Sequence, residues 1–211
     1  MSPRSPNGLQ AGGARDIYVH CATSVHYLAA LNASVPGVAR YAERSLLLAE
    51  RNDVVCLPDE IDPAYMDYLA ELGVGPAPEN LVVASRFNRG TPDRPLWQRL
   101  LENSGALEYI AELLHGWSAA QVHPFIASRG QFQLAAALET RAGVPVSVAG
   151  SPAAVVSYAD HKHHIRAKAL ELGVPVAQGE VVDLTVVANR SRAERELLLM
   201  AIERQIGRTG R

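Results

Sequence analysis

Several kinds of residue are scarce in this sequence, and each shortage excludes a class of protein. The 211 residues include only two cysteines, Cys21 and Cys56, both in apolar, strand-like runs, so we expect two buried thiols and no disulfide framework. No stretch approaches the roughly 18 consecutive apolar residues that span a membrane. The 20 basic residues do not outnumber the 22 acidic ones, which argues against a nucleic-acid-binding surface. We expect a soluble, cytoplasmic protein that binds neither membrane nor nucleic acid.

Lysine is the scarcest of the charged residues. Only two of the 20 basic residues are lysines, Lys162 and Lys168, and all the others are arginines. Arginine carries a planar fork of donors, whereas lysine carries a compact point charge. Two lysines within one short segment can mark a site that needs that point charge, although chance placement is the alternative.

Length and composition predict one full domain and part of a second. Hydrophobic residues make up 48% of the chain, which is enough to bury a sizeable core. Residues 1–15 are rich in Ser, Pro and Gly and contain no apolar segment, so they are predicted to form a flexible tail.

Between residues 16 and 150, β-rich apolar runs alternate with helical segments. The predicted strands are Asp16–Cys21, Asp53–Leu57, Leu81–Ala84, Ala120–Ile126 and Val144–Val148. The predicted helices are Tyr41–Glu50, Pro63–Leu72, two between Pro95 and Leu114, and Gln131–Arg141. This order predicts an α/β domain with a Rossmann-like, mostly parallel sheet and helices on both faces.

Polar residues follow each of these predicted strands. A parallel sheet binds ligands outside the carboxyl ends of its strands, so these segments are candidates for a polar ligand site. Ordinary solvated loops are the alternative. The segments are Ala22–Ser24, Pro58–Glu60, Ser85–Asn88, Ala127–Arg129 and Ala149–Gly150.

The pattern changes after Gly150. A few helices and one short strand cannot bury a core of their own, so residues 151–211 are predicted to be linker helices and the incomplete start of a second domain. The predicted elements are the helices Ser151–Ala159, Asp160–Leu172 and Arg192–Ile206 and the strand Glu180–Val182.

The segment DHKHHIRAK, which begins the second of these helices, is the densest polar cluster in the chain. Three interpretations remain open. Its histidines His161, His163 and His164 could ligate a metal ion, and the first and third would share a helix face. The cluster could instead be a solvated helix face. It could also bind an anion, with Lys162 in the first helical turn and Arg166 one turn further on.

The same segment resembles a known family. Lys162 begins a helix that reaches the Gly173-Val174-Pro175 sequence eleven residues later, and Arg166 follows the lysine by four residues. This pattern is similar to the start of the ATP-grasp module in ATP-grasp ligases. The Lys-x-x-x-Arg spacing resembles the peptide-ligase branch of pheganomycin-type enzymes, in which a Rossmann-like pre-ATP-grasp domain comes first. Many ATP-grasp enzymes have Asp directly before the lysine, whereas here His161 intervenes.

The resemblance implies a role for each matching residue. Lys162 and Arg166 would bind the phosphates of ATP, and Mg²⁺ ligands would lie outside this chain. The reaction would join a small carboxylic acid or amino acid to an amine through an acylphosphate. Residues 16–150 would form the pre-ATP-grasp domain, and residues 151–211 would open an α+β nucleotide-binding domain.

The later elements of the family pattern, a second phosphate-binding lysine and a Gly-rich flap among them, have no counterpart before Arg211. We therefore expect the N-terminal part of a ligase, inactive without a further C-terminal ATP-grasp region. An alternative is a non-catalytic α/β binding or scaffolding protein that docks a partner or a second copy through its last helix. A dinucleotide-dependent enzyme is disfavoured because no GxGxxG follows the first strand.

Overall fold

The computed structural model of the chain describes residues 13–21, 37–87, 94–179, 181 and 192–209. Its centre is a five-stranded sheet in which every pairing is parallel and the strand order is β3-β2-β1-β4-β5. The strands are β1 Ala14–Val19, β2 Val54–Leu57, β3 Leu81–Val83, β4 Ala119–Pro124 and β5 Val146–Val148. The predicted Rossmann-like α/β fold is thereby confirmed.

Helices connect successive strands. A 3₁₀ helix, Val38–Leu47, and α1, Pro63–Leu72, flank β2, and a short 3₁₀ turn, Pro78–Asn80, leads into β3. The α-helices that follow are α2 Ala84–Phe87, α3 Leu96–Leu101, α4 Ser104–Leu113, α5 Arg129–Ala142, α6 Ala153–Asp160, α7 Lys162–Glu171 and α8 Arg192–Thr209.

Local sequence signals set the bounds of α1. Asp62 accepts a hydrogen bond from the amide of Ala64 (3.0 Å), and Pro63 occupies the first helical position. Gly73 ends the helix with φ at 68°, a left-handed conformation that glycine adopts without steric cost. The predicted bounds of this helix are confirmed.

Two apolar cores form, one on each face of the sheet. The larger lies between the sheet and helices α3, α4 and α5, and the smaller lies beneath the 3₁₀ helix and α1. Because side chains alternate along a strand, β2 contributes to both cores, with Val54 and Cys56 in the larger and Val55 and Leu57 in the smaller. Both cysteines are buried, as predicted, and burial raises the pKa of Cys56 to about 12.

Some element bounds differ from the predicted ones. The helix predicted at Tyr41–Glu50 is a 3₁₀ helix that begins at Val38, and the hydroxyl of Ser45 donates to the carbonyl of Ala42 three residues back (2.6 Å). Strand β1 begins at Ala14, inside the predicted tail, because residues there pair with β4. The strand predicted over 180–182 lies mostly outside the described residues, and Val181 is not in a strand.

The chain divides into two compact units, residues 1–156 and 157–211. The first contains the sheet, and the second contains α7 and α8. None of the helices seen in the described ranges has the length and apolarity that crossing a membrane would require.

Arg15 is buried at the amino end of β1, although the sequence analysis placed it in the tail. Its guanidinium donates to the carbonyls of Asn52 (2.6 Å) and Leu113 and to the side-chain oxygen of Asn80 (2.6 Å). The guanidinium carbon lies 5.3 Å from the centre of the Trp117 ring. Burial lowers the pKa of Arg15. One side chain thus connects β1 to the segments before β2 and before β3 and to the C-terminal end of α4.

We predict that Arg15→Met destabilises the protein by about 2–4 kcal/mol, because it leaves buried acceptors without donors. Arg15→Lys keeps the charge but loses the fork and will recover only part of that loss. Chemical denaturation of both variants measures the effect, with the exposed Arg40→Met as the control. Equal unfolding midpoints for Arg15→Met and Arg40→Met would contradict the assignment.

Candidate functional site

The strand order creates a topological switch point between β1 and β4. From β1 the chain proceeds to β2 on one side, and β4 leads to β5 on the other. In open α/β sheets, ligands bind in the crevice outside the carboxyl ends of the strands at such a point. His20 and Cys21 follow β1 here, and Phe125 follows β4.

A guanidinium occupies this edge of the sheet. The Arg44 guanidinium carbon lies 3.9 Å from the centre of the Phe125 ring and 4.1 Å from that of Tyr41. The two rings are inclined at 69° to each other, with centroids 5.2 Å apart. A cation against two aromatic faces is stabilised by the ring quadrupoles and held in a defined orientation. Tyr41 and Arg44 share one face of the 3₁₀ helix because its period is three residues.

His20 lies next to this guanidinium, and the residue is only 5% exposed. Its Nδ1 is 3.3 Å from Nε of Arg44, which donates to it. Burial lowers the pKa of His20 to about 4, with further contributions from the charges of Arg44 and His123. The ring is therefore neutral at neutral pH, with Nδ1 as acceptor and the proton on Nε2.

A polar row follows His20 along the same face of the sheet. The ring of Tyr18 stacks on that of His123 at 5.0 Å, and Nε2 of His123 lies 3.0 Å from a carboxylate oxygen of Asp16. Burial, with three neighbouring carboxylates, raises the pKa of Tyr18. This face of the sheet packs against the smaller apolar core at β2, whereas it carries these polar side chains at β1 and β4.

Two other arginines lie near the carboxyl ends of β2 and β3. Arg99, on α3, is 4% exposed, and its closest acidic atom is a carboxylate oxygen of Asp59 at 3.8 Å. Arg86, on α2, forms a two-bond ion pair with the exposed Glu60, with both distances at 2.7 Å. The hydrogen bond from Arg86 lowers the pKa of Glu60. Arg86 therefore has its fork engaged by a carboxylate of the chain itself.

In the second unit, Lys162 is the first residue of α7 and is exposed. His161 occupies the N-cap position, and its side chain makes no capping hydrogen bond. Gly173 adopts a left-handed φ of 68° directly after the helix, at the predicted distance from the lysine. Lys168, by contrast, donates to a carboxylate oxygen of Glu171 at 2.6 Å.

Arg166 extends from the same helix to the segment that follows it. Its guanidinium donates to the carbonyl of Ala177 and, at 3.3 Å, to that of Gly179.

The three neighbouring histidines, His161, His163 and His164, contact one another, and the ring of His164 also stacks on Tyr158 at 4.8 Å. Over the ranges the structure describes, no three His, Cys, Asp or Glu side chains are arranged to hold a metal ion.

Sequence reasoning located the edge of the sheet but not its main residues. Of the loops predicted to carry the site, Ala22–Ser24 and Asn88 lie outside the described residues. His20, Arg44 and Phe125 were not singled out, because they are far apart in sequence and only the strand order brings them together. The sequence signal that could have indicated His20 is the presence of a histidine near the end of the first predicted strand.

We predict that His20 titrates near pH 4 in the folded protein, against about 6.5 when unfolded. Because the folded pKa is the lower one, stability is full above pH 6.5 and decreases as the pH falls towards 4, by at most about 3 kcal/mol. Histidine NMR titration, assigned with His20→Gln, measures the midpoint. Arg44→Gln will raise the midpoint but leave it below 6.5, because burial, the main cause, remains. A wild-type midpoint near 6.5 would refute the described geometry.

One comparison with known proteins finds a similarity to part of the first unit. Residues 42–140 match the family model of the Pre ATP-grasp domain, a range that runs from the 3₁₀ helix to α5 and includes Arg44. No curated protein and no solved structure matches the chain. The all-parallel sheet flanked by helices agrees with this family's fold. Residues 42–140 are therefore similar to the pre-ATP-grasp domain, which is consistent with a pre-ATP-grasp domain of the ATP-grasp superfamily.

Proposed function

We propose that this chain supplies the N-terminal elements of an ATP-dependent carboxylate–amine ligase of the peptide-forming kind. The observation that carries the proposal is the match of residues 42–140 to the Pre ATP-grasp domain, followed in the chain by a helix that begins at Lys162. The eleven-residue interval from that lysine to a left-handed Gly173 supports the same assignment.

Lys162 is the residue proposed to contact the phosphates of ATP. Its ammonium group is exposed, and no acidic side chain of the described residues pairs with it. It stands at the amino end of a ten-residue helix, where backbone N–H groups and the helix dipole also favour an anion. Lysine suits this role because a point charge tolerates movement of the phosphates during transfer.

ATP, when bound, would supply the γ-phosphoryl group that converts a substrate carboxylate into an acylphosphate, from which an amine displaces phosphate. The substrates proposed are a small carboxylic acid or amino acid and an amine. The described residues offer no ligand set for Mg²⁺, so we assign the metal no residue in this part of the chain.

Arg166 has a second role in this proposal. Two of its donors hold the backbone at Ala177 and Gly179, so its cation lies next to the segment that follows α7. The guanidinium would add positive potential near the phosphates and would also keep this segment against the helix.

The two lysines of the chain make a direct test possible. Reductive methylation modifies exposed lysines, and mass spectrometry reads Lys162 and Lys168 separately because this chain has no others. In the assembly with the C-terminal ATP-grasp region, we expect Mg·ATP to slow the modification of Lys162 at least about threefold and to leave Lys168 unchanged, since Lys168 is paired with Glu171. Sulfate at equal ionic strength is the ligand control.

Calorimetry with matched variants complements this measurement. In the complete assembly, this chain together with the C-terminal ATP-grasp region, Lys162→Ala should weaken ATP binding by about tenfold, or about 1.4 kcal/mol, whereas Lys168→Ala on the same helix should not. Equal protection of both lysines, or equal ATP affinity of both variants, would remove Lys162 from the proposed role.

A second candidate function rests on helix α8. Leu199, Ile202 and Ile206 recur at helical spacing and are 56%, 46% and 51% exposed. An apolar stripe of this kind is typical of a surface that packs against another protein. It supports the alternative of a non-catalytic α/β protein that docks a partner or a second copy through its C-terminal helix.

Sedimentation equilibrium tests one form of this alternative, the docking of a second copy. If α8 self-associates, the wild-type chain will be a dimer, and Leu199→Glu with Ile202→Glu will make it monomeric. Glu203→Gln, on the same helix, is the control. A wild-type monomer at about 100 µM would rule out a stable homodimer through α8.

A further inference from the structure

The Arg44 guanidinium has no acidic partner among the residues that the structure describes. Its only hydrogen bond to them runs from Nε to His20, so its two terminal amino groups make none. Two exposed arginines of this unit differ in this respect: Arg40 pairs with Glu43 at 2.8 Å, and Arg86 pairs with Glu60. Arginine forks that face a ligand are commonly left unpaired in this way, because the ligand supplies the anion.

The fork is also held in place. Contacts of 3.9 and 4.1 Å to the rings of Phe125 and Tyr41 restrict its plane, and the bond to His20 restricts its rotation. A flexible arginine loses side-chain conformational entropy when it binds a ligand. Arg44 has already lost that entropy on folding. An anion that pairs with two parallel N–H groups gains most from such a fixed fork.

His20 positions the fork. It is buried, it accepts from Arg44 through Nδ1, and its remaining proton is on Nε2. No described residue forms a hydrogen bond with Nε2. Because Nε2–H points to the far side of the ring from Arg44, the site offers one positive charge, at Arg44, and the two terminal amino groups of its fork as donors.

The position in the fold agrees with a ligand site. Phe125 follows β4 and His20 follows β1, so the cluster lies at the switch point where the crevice of an open α/β sheet opens. Arg44, Tyr41 and Phe125 remain partly exposed, so a ligand can reach them. The aromatic rings leave apolar surface beside the charge.

We propose that Arg44, with His20, binds the carboxylate of a small organic acid that carries an apolar or aromatic group. The two terminal amino groups of Arg44 would take both carboxylate oxygens, His20 would hold the guanidinium in place by accepting from its Nε, and Phe125 and Tyr41 would contact the apolar part. A monocarboxylate matches the single charge of the site better than a phosphate, which carries up to two charges and usually meets several cations or a helix end. The proposal goes beyond the ligase function, because it requires neither ATP nor Lys162.

Benzoate and benzamide are suitable probes because they differ in charge but hardly in shape. We expect the 211-residue protein, without nucleotide, to bind benzoate saturably, with shifts in the His20 imidazole resonances, and to bind benzamide at least tenfold more weakly. Arg44→Gln should weaken benzoate at least tenfold and Arg44→Lys, which keeps the charge without the fork, several-fold. Arg40→Gln, on the same 3₁₀ helix, and Lys162→Ala should leave it unchanged.

Several results would overturn the proposal. Among these are equal affinities for benzoate and benzamide, an unchanged affinity in Arg44→Gln, or no saturation at about 50 mM benzoate. Inorganic phosphate that displaces benzoate and binds more tightly would replace the carboxylate assignment with a phosphate site. A loss of benzoate binding in Lys162→Ala would place the ligand elsewhere.

If Arg44→Gln fails to fold, as near-UV circular dichroism would show, the comparison of Arg44→Lys with Arg40→Gln still decides the outcome. Because no ATP is present, failure here leaves the ligase proposal standing, and the lysine protection experiment tests that proposal separately.

Discussion

The fold depends on β1, which is hydrogen-bonded on both sides within a parallel sheet. Its pairing with β2 and with β4 makes it the central strand and forces the chain to proceed outward in two directions. The buried Arg15 at its amino end donates to three separate segments, which ties the connections on both sides of the sheet to this strand. His20 follows the carboxyl end of this strand and therefore lies at the switch point. One strand therefore carries both a structural arginine contact and the histidine of the candidate site.

Two arginines, Arg15 near the amino end of β1 and Arg44 near its carboxyl end, have different surroundings. At the amino end, the Arg15 cation is compensated by backbone carbonyls and an amide oxygen, all supplied by the chain. At the carboxyl end, Arg44 receives aromatic faces and a neutral imidazole, but no anion from the described residues. The first arrangement is complete and serves stability. The second is an ordered cation whose terminal donors remain available, which is the arrangement expected of a binding residue.

The two units contribute different chemistry to the proposed ligase. The sheet domain, of which residues 42–140 match the Pre ATP-grasp domain, has its polar edge at a place where α/β proteins bind small molecules. The second unit presents Lys162 at a helix start, where a phosphate is favoured by charge and by the backbone. An ATP-dependent carboxylate–amine ligase needs both a place for an acid and a place for phosphates, so the two proposals are compatible although each is tested alone.

The sequence by itself determined the elements that depend on local interactions. The bounds of α1 follow from a capping aspartate, an N-terminal proline and a left-handed Gly73, and the alternation of apolar runs with helices was enough to predict a parallel α/β sheet. Only the tertiary structure decided which strands are neighbours, and with them the site. Arg44 and Phe125 are 81 residues apart in the chain, and no local pattern relates them. Their contact exists because β1 pairs with β4, which begins 105 residues after β1 begins. The free energy of that pairing comes from burial of the common core rather than from either segment alone.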